Sequence, residues 1–375
     1  MIKVIMVLPR YFPILGGAEV QCARLIDKFE SHKDRVEVVG VVTRQLTCLL
    51  AKSEKIGNLN IRRLPPIGMG LLSEYFFCLT LFFYLLFHRN KYDVIHCHAT
   101  AIFGITCSLV GYITNKKVIL KVSTNGEVHN MTNGRWKRRI VSFFSNYCTY
   151  IALNRQGYDE VVKCIPNAKV RLIPNGIDYT SEKDVTAAQK IRSFLNERIG
   201  YKAKIGIFVG RFVKRKGIND LIKASEIVNR YLKKDVFFIL IGDSELQRDG
   251  EVFFKDNKNI ISLGKKENVF PYLLASDFFI SPSHNEGLPN TVLEALSSGK
   301  KCLLSDISPH EELAEEHPEY IKLFKTGCPE SMADRIVEFI GSEAEKFCLL
   351  SGTNLLAPRY HMDEVCEKYI RLYLE

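Results

Sequence analysis

Short runs of β-branched and other apolar residues recur along this chain, separated by stretches in which apolar residues return every three or four positions. In the first half the runs are Ile2–Leu8, Val36–Val42, Asp93–His96, Val118–Val122, Tyr150–Leu153 and Val170–Ile173. In the second half they are Ile205–Val209, Val236–Ile241, Ile260–Leu263, Phe278–Ser281 and Lys301–Ser305. Glu19–Phe29 and Ile218–Tyr231, lying between such runs, carry helical spacing. Strands that are apolar without alternation are buried on both faces, and their alternation with helices predicts parallel sheets. A chain of 375 residues suits two such domains better than one. The expected fold class is therefore α/β with two Rossmann-like domains, each holding ligands at the carboxyl ends of its strands. Pro174 and Gly176 punctuate a loop within Ile173–Asp178, and a polar, helix-forming stretch, Ser181–Arg198, follows. The boundary is placed there, giving domains 1–178 and 179–358.

The segment S-P-S-H-N-E-G-L-P-N-T-V-L-E-A-L-S-S-G, Ser281 to Gly299, holds the densest chemistry. A buried strand runs into it, and beyond Pro289 and Asn290 the residues T-V-L-E-A-L favour a helix. A strand, a tight loop and a helix start make an anion site, because first-turn amides point outward unpaired. Two carboxylates, Glu286 and Glu294, flank that start. Eight helical residues rise about 12 Å, so the pair suits opposite ends of a long ligand such as a nucleotide diphosphate-sugar.

On these residues the chain resembles the family-4 retaining glycosyltransferases of the GT-B fold, whose signature is E-G-x-P-x-x-x-L-E-A-x-x-x-G. The resemblance implies two Rossmann-like domains facing each other across a cleft, with a C-terminal helix (359–375) packed back on the first. It implies that Glu286 touches the donor sugar and Glu294 the ribose hydroxyls. Gly287, Leu288, Pro289 and Asn290 then belong to the donor site.

Gly210 to Ile218 reads G-R-F-V-K-R-K-G-I after a strand and before a helix, which presents Arg211 and Lys216 at the sheet's carboxyl edge. Fixed cations there favour the charge that develops on a departing nucleoside diphosphate. The resemblance gives Arg211 and Lys216 that role, without a metal; Lys214 and Arg215 read as surface residues. Gly16 and Gly17, in P-R-Y-F-P-I-L-G-G-A-E-V, let the backbone approach a ligand closely, and the family lines its cleft with this loop. Gly264 and Lys265 match a stretch that borders the nucleotide base. One departure stands out. Where many members carry a cleft histidine, this chain has Ser123, Thr124 and Asn125, and His129 falls too late to match. No histidine base is assigned.

Composition narrows the partners. Residues 1–178 hold 24 Lys and Arg against 12 Asp and Glu, whereas the remainder holds 28 against 30. The basic excess belongs to the first half, which points to an anionic partner for that half. Arg62-Arg63, Lys116-Lys117 and Arg135–Arg139, beside the aromatic run Tyr75–Phe87, suit an anionic membrane surface. That run is 13 residues, short of the ~20 needed to span a bilayer. Met1–Arg10 reads as a first strand and not a leader. Eleven cysteines without a C-x-x-C pair fit a reduced interior. His96 and His98 share a strand face but lack further ligands nearby, so no metal is expected. No nucleic-acid motif accompanies the basic residues.

The expectation is a cytoplasmic, retaining hexosyltransferase, peripheral on the inner face of the membrane and using a UDP-sugar without other cofactor. Its acceptor would be a carbohydrate or lipid-linked saccharide of surface polysaccharide or glycolipid assembly. A sugar-nucleotide epimerase of similar fold and a non-catalytic sugar-nucleotide-binding subunit are the alternatives.

Overall fold

The apolar runs assemble into two separate sheets, and each sheet organises one unit. The computed structural model describes residues 1–13, 16–47, 49–65, 71–199, 203–231, 236–242, 257–341 and 354–375. Unit 1 comprises Met1–Gly176 with Arg359–Glu375, and unit 2 comprises Ile177–Pro358.

Unit 1 carries β1 (Ile2–Leu8), β2 (Val36–Arg44), β3 (Ser53–Ile56), β4 (Leu59–Leu64), β5 (Val94–Cys97), β6 (Lys117–Lys121), β7 (Cys148–Ala152) and β8 (Lys169–Leu172). They stand in the order β3-β4-β2-β1-β5-β6-β7-β8. Every neighbouring pair is parallel except β3 and β4, which form an antiparallel hairpin. Every residue of β5 and β7 is buried, which is why their sequences show no polar alternation. The helices are α1 (Gly17–Phe29), α2 (Leu71–Phe87), α3 (Ala101–Thr114), α4 (Glu127–Thr132), α5 (Arg135–Ser145) and α6 (Arg155–Cys164).

Unit 2 opens with α7 (Glu182–Ile199) and carries β9 (Lys204–Val209), β10 (Val236–Ile241), β11 (Ile260–Gly264), β12 (Phe278–Ser281), β13 (Cys302–Ser305) and β14 (Ile321–Phe324). Their order is β11-β10-β9-β12-β13-β14, parallel throughout. Its other helices are α8 (Ile218–Tyr231), α9 (Phe270–Ala275), α10 (Asn290–Ser297), α11 (Ser308–Glu316) and α12 (Pro329–Gly341). In both sheets the strand order reverses beside the first strand, between β1 and β5 and between β9 and β12. Parallel α/β sheets bind ligands outside the strand ends at such a reversal.

The chain returns to unit 1 as α13 (Met362–Leu374). Met362, Val365, Cys366, Tyr369, Ile370, Leu372 and Tyr373 are buried there, in one apolar cluster with Val4, Met6, Leu8, Leu25 and Phe29. Full burial of a large apolar side chain is worth about 1.5–3 kcal/mol, so this helix is part of the core and no appendage. Lys28 pairs with Asp363 at 2.6 Å, and Arg35 grips Glu367 through two nitrogens at 2.8 and 3.1 Å. The side-chain amide of Gln21 donates to the Gly176 carbonyl at 2.9 Å and accepts from its N–H at 3.1 Å.

Three strands escaped the sequence reading. All four residues of β3, S-E-K-I, are exposed, arginines interrupt β4, and β14 is only I-K-L-F. None carries the uninterrupted apolar run that marks a central strand.

Candidate active site

At the reversal in unit 2, two loops leave the same sheet edge: 210–217 after β9 and 282–289 after β12. They are stitched together. The first ends in a 3₁₀ turn, Lys214–Lys216, and Gly217 at φ 68°. A Cβ at Gly217 would lie 2.0 Å from the Pro282 carbonyl oxygen, so conformation and space both demand glycine. The His284 N–H donates to the Arg215 carbonyl at 2.8 Å, and its Nε2 meets the Asp220 carboxylate at 2.6 Å.

This stitching delivers two cations to Glu286. Lys216 Nζ donates to Glu286 Oε1, with 13 % and 8 % of the two side chains exposed. Arg215 approaches the other carboxylate oxygen at 3.5 Å and donates to the Asn285 carbonyl at 3.2 Å. Burial alone would raise the Glu286 pKa. The Lys216 charge and hydrogen bond, a hydrogen bond with Ser283, and the Arg215 charge outweigh burial and hold the carboxyl below its usual range. Glu286 is therefore ionised at neutral pH. Arg215 is exposed, as the sequence suggested, and its contact with Glu286 adds to that reading. Its guanidinium stays partly in solvent while reaching one oxygen of the Glu286 carboxylate.

Glu294 lies on α10, whose N-cap is Pro289, and is buried. Gly287, Leu288 and Pro289 are buried ahead of it, and Asn290 is half-buried as the first helical residue. Gly210 directly follows β9, its N–H bonded to the Ile241 carbonyl at 2.9 Å, and Arg211 comes next, half-buried on the same loop. Gly264 and Lys265 do not join this group. They are exposed at the end of β11, with β10 between them and β9.

Gly16 and Gly17 sit in unit 1, after β1. Gly16 is the N-cap of α1, and its N–H donates to Glu19 Oε2 at 2.8 Å. Ile14 and Leu15 of the same sequence string lie outside the described residues. Where the family's histidine would fall, Glu127 accepts from the amides of Thr100, Ser123 and Thr124 at 3.0, 3.0 and 3.3 Å. Asn125 donates to Gln156 at 2.5 Å. This Glu127 clasp was not expected from the sequence, although a glutamate opening a helix after S-T-N-G is a usable signal.

His96 and His98 are buried and stacked with ring centroids 4.2 Å apart, and His96 Nδ1 bonds the Tyr373 hydroxyl at 2.7 Å. Burial lowers both pKa values well below the ordinary range. Among the described residues no group of three or more His, Cys, Asp or Glu is arranged to hold a metal ion.

Two α/β units with parallel sheets, and a stitched pair of loops carrying Lys216 and Glu286, define the class: a GT-B glycosyltransferase fold. Comparison with known proteins agrees. The profile of Glycosyltransferase Family 4 matches residues 15–181, and that of Glycosyl transferases group 1 matches residues 203–342. The chain belongs to these group 1, family 4 glycosyltransferases. It is 32% identical over 247 residues to the UDP-Gal:alpha-D-GlcNAc-diphosphoundecaprenol alpha-1,3-galactosyltransferase of Escherichia coli, a match spanning 60% of each protein. Over 332 residues it is 24% identical to the GDP-mannose:cellobiosyl-diphosphopolyprenol alpha-mannosyltransferase of Xanthomonas campestris, covering 84% of this chain and 81% of that one. Anabaena HepE, solved in complex with UDP and glucose, shares the fold with a TM-score of 0.72 at 17% identity, covering 99% of both chains.

Proposed function

We propose that this protein is a retaining glycosyltransferase that moves a hexose-type sugar from a nucleotide diphosphate-sugar, a UDP-sugar first among the candidates. Its acceptor is a carbohydrate or lipid-linked saccharide of cell-surface polysaccharide or glycolipid assembly. The observation that carries this reading is the buried Lys216–Glu286 pair at the reversal between β9 and β12. The E. coli relative is named for a UDP-sugar donor and a diphosphoundecaprenol-linked acceptor, and HepE was solved with UDP and glucose; both support it.

In this reading Arg211 and Lys216 stabilise the charge that collects on the departing diphosphate. Lys216 has three donors, so it can keep Glu286 while meeting a phosphate oxygen. Glu286, held by Lys216 and Ser283, accepts hydrogen bonds from sugar hydroxyls and is not the nucleophile. Glu294 receives the ribose hydroxyls. The acceptor's proton passes to the leaving phosphate on the same sugar face, so no histidine base is required.

Hydrolysis of a panel of nucleotide sugars without acceptor tests the donor. NMR of the transfer product tests stereochemistry: inversion at the anomeric carbon overturns the retaining assignment. Release of an epimerised nucleotide sugar would replace the transferase reading with an epimerase.

We further propose that unit 1 attaches peripherally to an anionic membrane surface. Among the described residues no helix is long and apolar enough to cross a membrane. Helix α5 exposes Arg135, Lys137, Arg138 and Arg139 beside Trp136 and Phe143. Helix α2 exposes Leu72, Tyr75, Leu79, Phe83 and Phe87, spaced three or four residues apart. The cationic surface is narrower than the sequence suggested. Arg63 is buried and bonded to Glu54 and two carbonyls, Lys116 pairs with Asp93, and Lys117 donates to the Leu372 carbonyl. Each exposed cation adds about 1 kcal/mol near an anionic leaflet. Liposome flotation should show binding that needs anionic lipid and fades with salt. Equal recovery with neutral and anionic vesicles, or none with either, refutes it.

A further inference from the structure

From Ser283, which bonds Glu286, a line of buried polar groups continues into groups that the transfer chemistry above does not use. Ser281 and Ser283 come from the end of β12 and the loop after it, Ser305 from the end of β13, and His310 from the first turn of α11. Ser281 is 3 % exposed and the other three are 0 %. Their hydrogen bonds run in one direction. The ionised Glu286 carboxylate can only accept, so Ser283 donates its hydroxyl proton to it. Ser281 Oγ, 3.3 Å away, is then the donor to Ser283 Oγ. Ser305 Oγ donates to the Ser283 carbonyl at 2.5 Å. His310 Nδ1 lies 2.9 Å from the Ser305 carbonyl and 3.2 Å from Ser305 Oγ. A carbonyl only accepts, and the Ser305 proton is already committed, so Nδ1 must carry the ring proton.

The ring has no second proton. Burial depresses the His310 pKa to about 4, the nearby Glu286 charge opposing that effect only in part. Among the described residues Nε2 is buried with no hydrogen-bond partner, so they offer it no acceptor that would stabilise an imidazolium. At neutral pH His310 is a neutral Nδ1–H tautomer whose only polar attachments among the described residues are Ser305 and the helix backbone.

We propose that His310 is a positioning residue for Glu286: its Nδ1–H fixes Ser305, Ser305 fixes the Ser283 carbonyl, and Ser283 in turn fixes the carboxylate. The role of Glu286 toward sugar hydroxyls is taken from the proposed function, on which this inference rests. The arrangement supplies what Lys216 and Arg215 alone do not. Two cations reach Glu286 from the 210–217 loop, whereas the serine line ties it to the ends of β12 and β13, fixing where the carboxylate stands.

Side-chain geometry separates positioning from mere packing. In His310→Asn the amide nitrogen occupies the place of Nδ1 and can donate to the Ser305 carbonyl. In His310→Gln the amide reaches the Nε2 position instead, and His310→Phe fills the space with no donor. Expected are a kcat within about threefold of wild type for Asn, and losses of roughly 10- to 100-fold for Gln and Phe, the scale set by a misplaced reacting group. The affinity for UDP itself, which lacks the donor hexose that Glu286 holds, should stay unchanged in all three by calorimetry. Ser283→Ala, which leaves the histidine's packing intact, should reproduce the loss in kcat.

Wild-type kcat in Gln and Phe, or a Ser283→Ala enzyme as fast as wild type, overturns the proposal. So does an Asn variant as impaired as Phe, or a loss of UDP affinity parallel to kcat, since both describe a structural residue. Nitrogen-15 NMR of the histidine rings reads the tautomer without any activity. A protonated Nδ1 is expected, and a protonated Nε2 overturns the network. If the wild-type protein turns over no nucleotide sugar, the functional reading fails while the NMR result still decides the hydrogen-bond line.

Discussion

Lys216 and Glu286 stand 70 residues apart in the chain and form an ion pair almost sealed from solvent. A lysine and a glutamate are seldom buried unless paired, because each loses its hydration. The pair forms because Gly217 lets one loop press against Pro282 of the other. Any role for either residue in transfer depends on that contact.

Lys216→Ala and Arg211→Ala should each lower kcat by roughly 10²–10³-fold, or about 2.7–4 kcal/mol, the usual loss for one preorganised charge partner. Steady-state kinetics with the accepted nucleotide sugar checks this; near wild-type rates in both would remove their assignment to the diphosphate. Arg215→Ala should do less, since Arg215 is 41 % exposed and meets Glu286 only at 3.5 Å.

The Lys216–Glu286 pair also makes an acid-stability prediction. Glu286 has a lowered pKa in the folded protein, so between its folded and unfolded values the unfolded chain binds more protons. Its stabilising contribution is complete above the unfolded value of about 4.3 and is lost as pH falls through the folded one. Urea unfolding from about pH 7 to about pH 3 should show Lys216→Ala least stable relative to wild type at neutral pH. The gap should close in acid; a gap independent of pH would contradict the assignment.

Glu294→Ala should weaken donor binding more than it slows turnover, because ribose hydroxyls are present before and after reaction. Isothermal titration with UDP reads the effect directly. A loss of kcat at unchanged UDP affinity would count against the ribose role.

Gly217→Ala places a Cβ in the left-handed region and against a carbonyl oxygen. It should destabilise the protein by more than about 1 kcal/mol. Donor affinity should fall as well, since the displaced loop carries Lys216. A variant with wild-type urea midpoint and wild-type affinity would show that the two loops tolerate separation.

The central strands were legible because burial on both faces writes an uninterrupted apolar run, and helical spacing placed α8 on the residues it occupies, Ile218–Tyr231; α3 and α12 were not read. Glu286 and Glu294 were legible because their neighbours form a dense local motif. The contact of Arg215 with Glu286 was not, since only the docking of a distant loop shows that both neighbouring cations meet the carboxylate. Arg63 misled in the opposite sense, since its pairing with Glu54 and the carbonyls of Phe12 and Ala51 is invisible in a basic dipeptide. Ser305 and His310 carry no motif at all, and Ser283, though inside the Ser281–Gly299 segment, is not part of its E-G-x-P signature. Short polar residues acquire meaning there only through contacts between two strand ends and a helix.

The return of α13 to unit 1 imposes an order on biosynthesis. Unit 2 is a continuous stretch of chain, Ile177–Pro358, and has its full complement of residues before Met362–Leu374 leave the ribosome. Unit 1 is begun first and finished last: until those residues emerge, the side chains of Val4, Met6, Leu25 and Phe29 lack the helix that covers them. A ribosome paused within unit 2 therefore holds a nascent chain with an open apolar face, the kind of surface that chaperones engage.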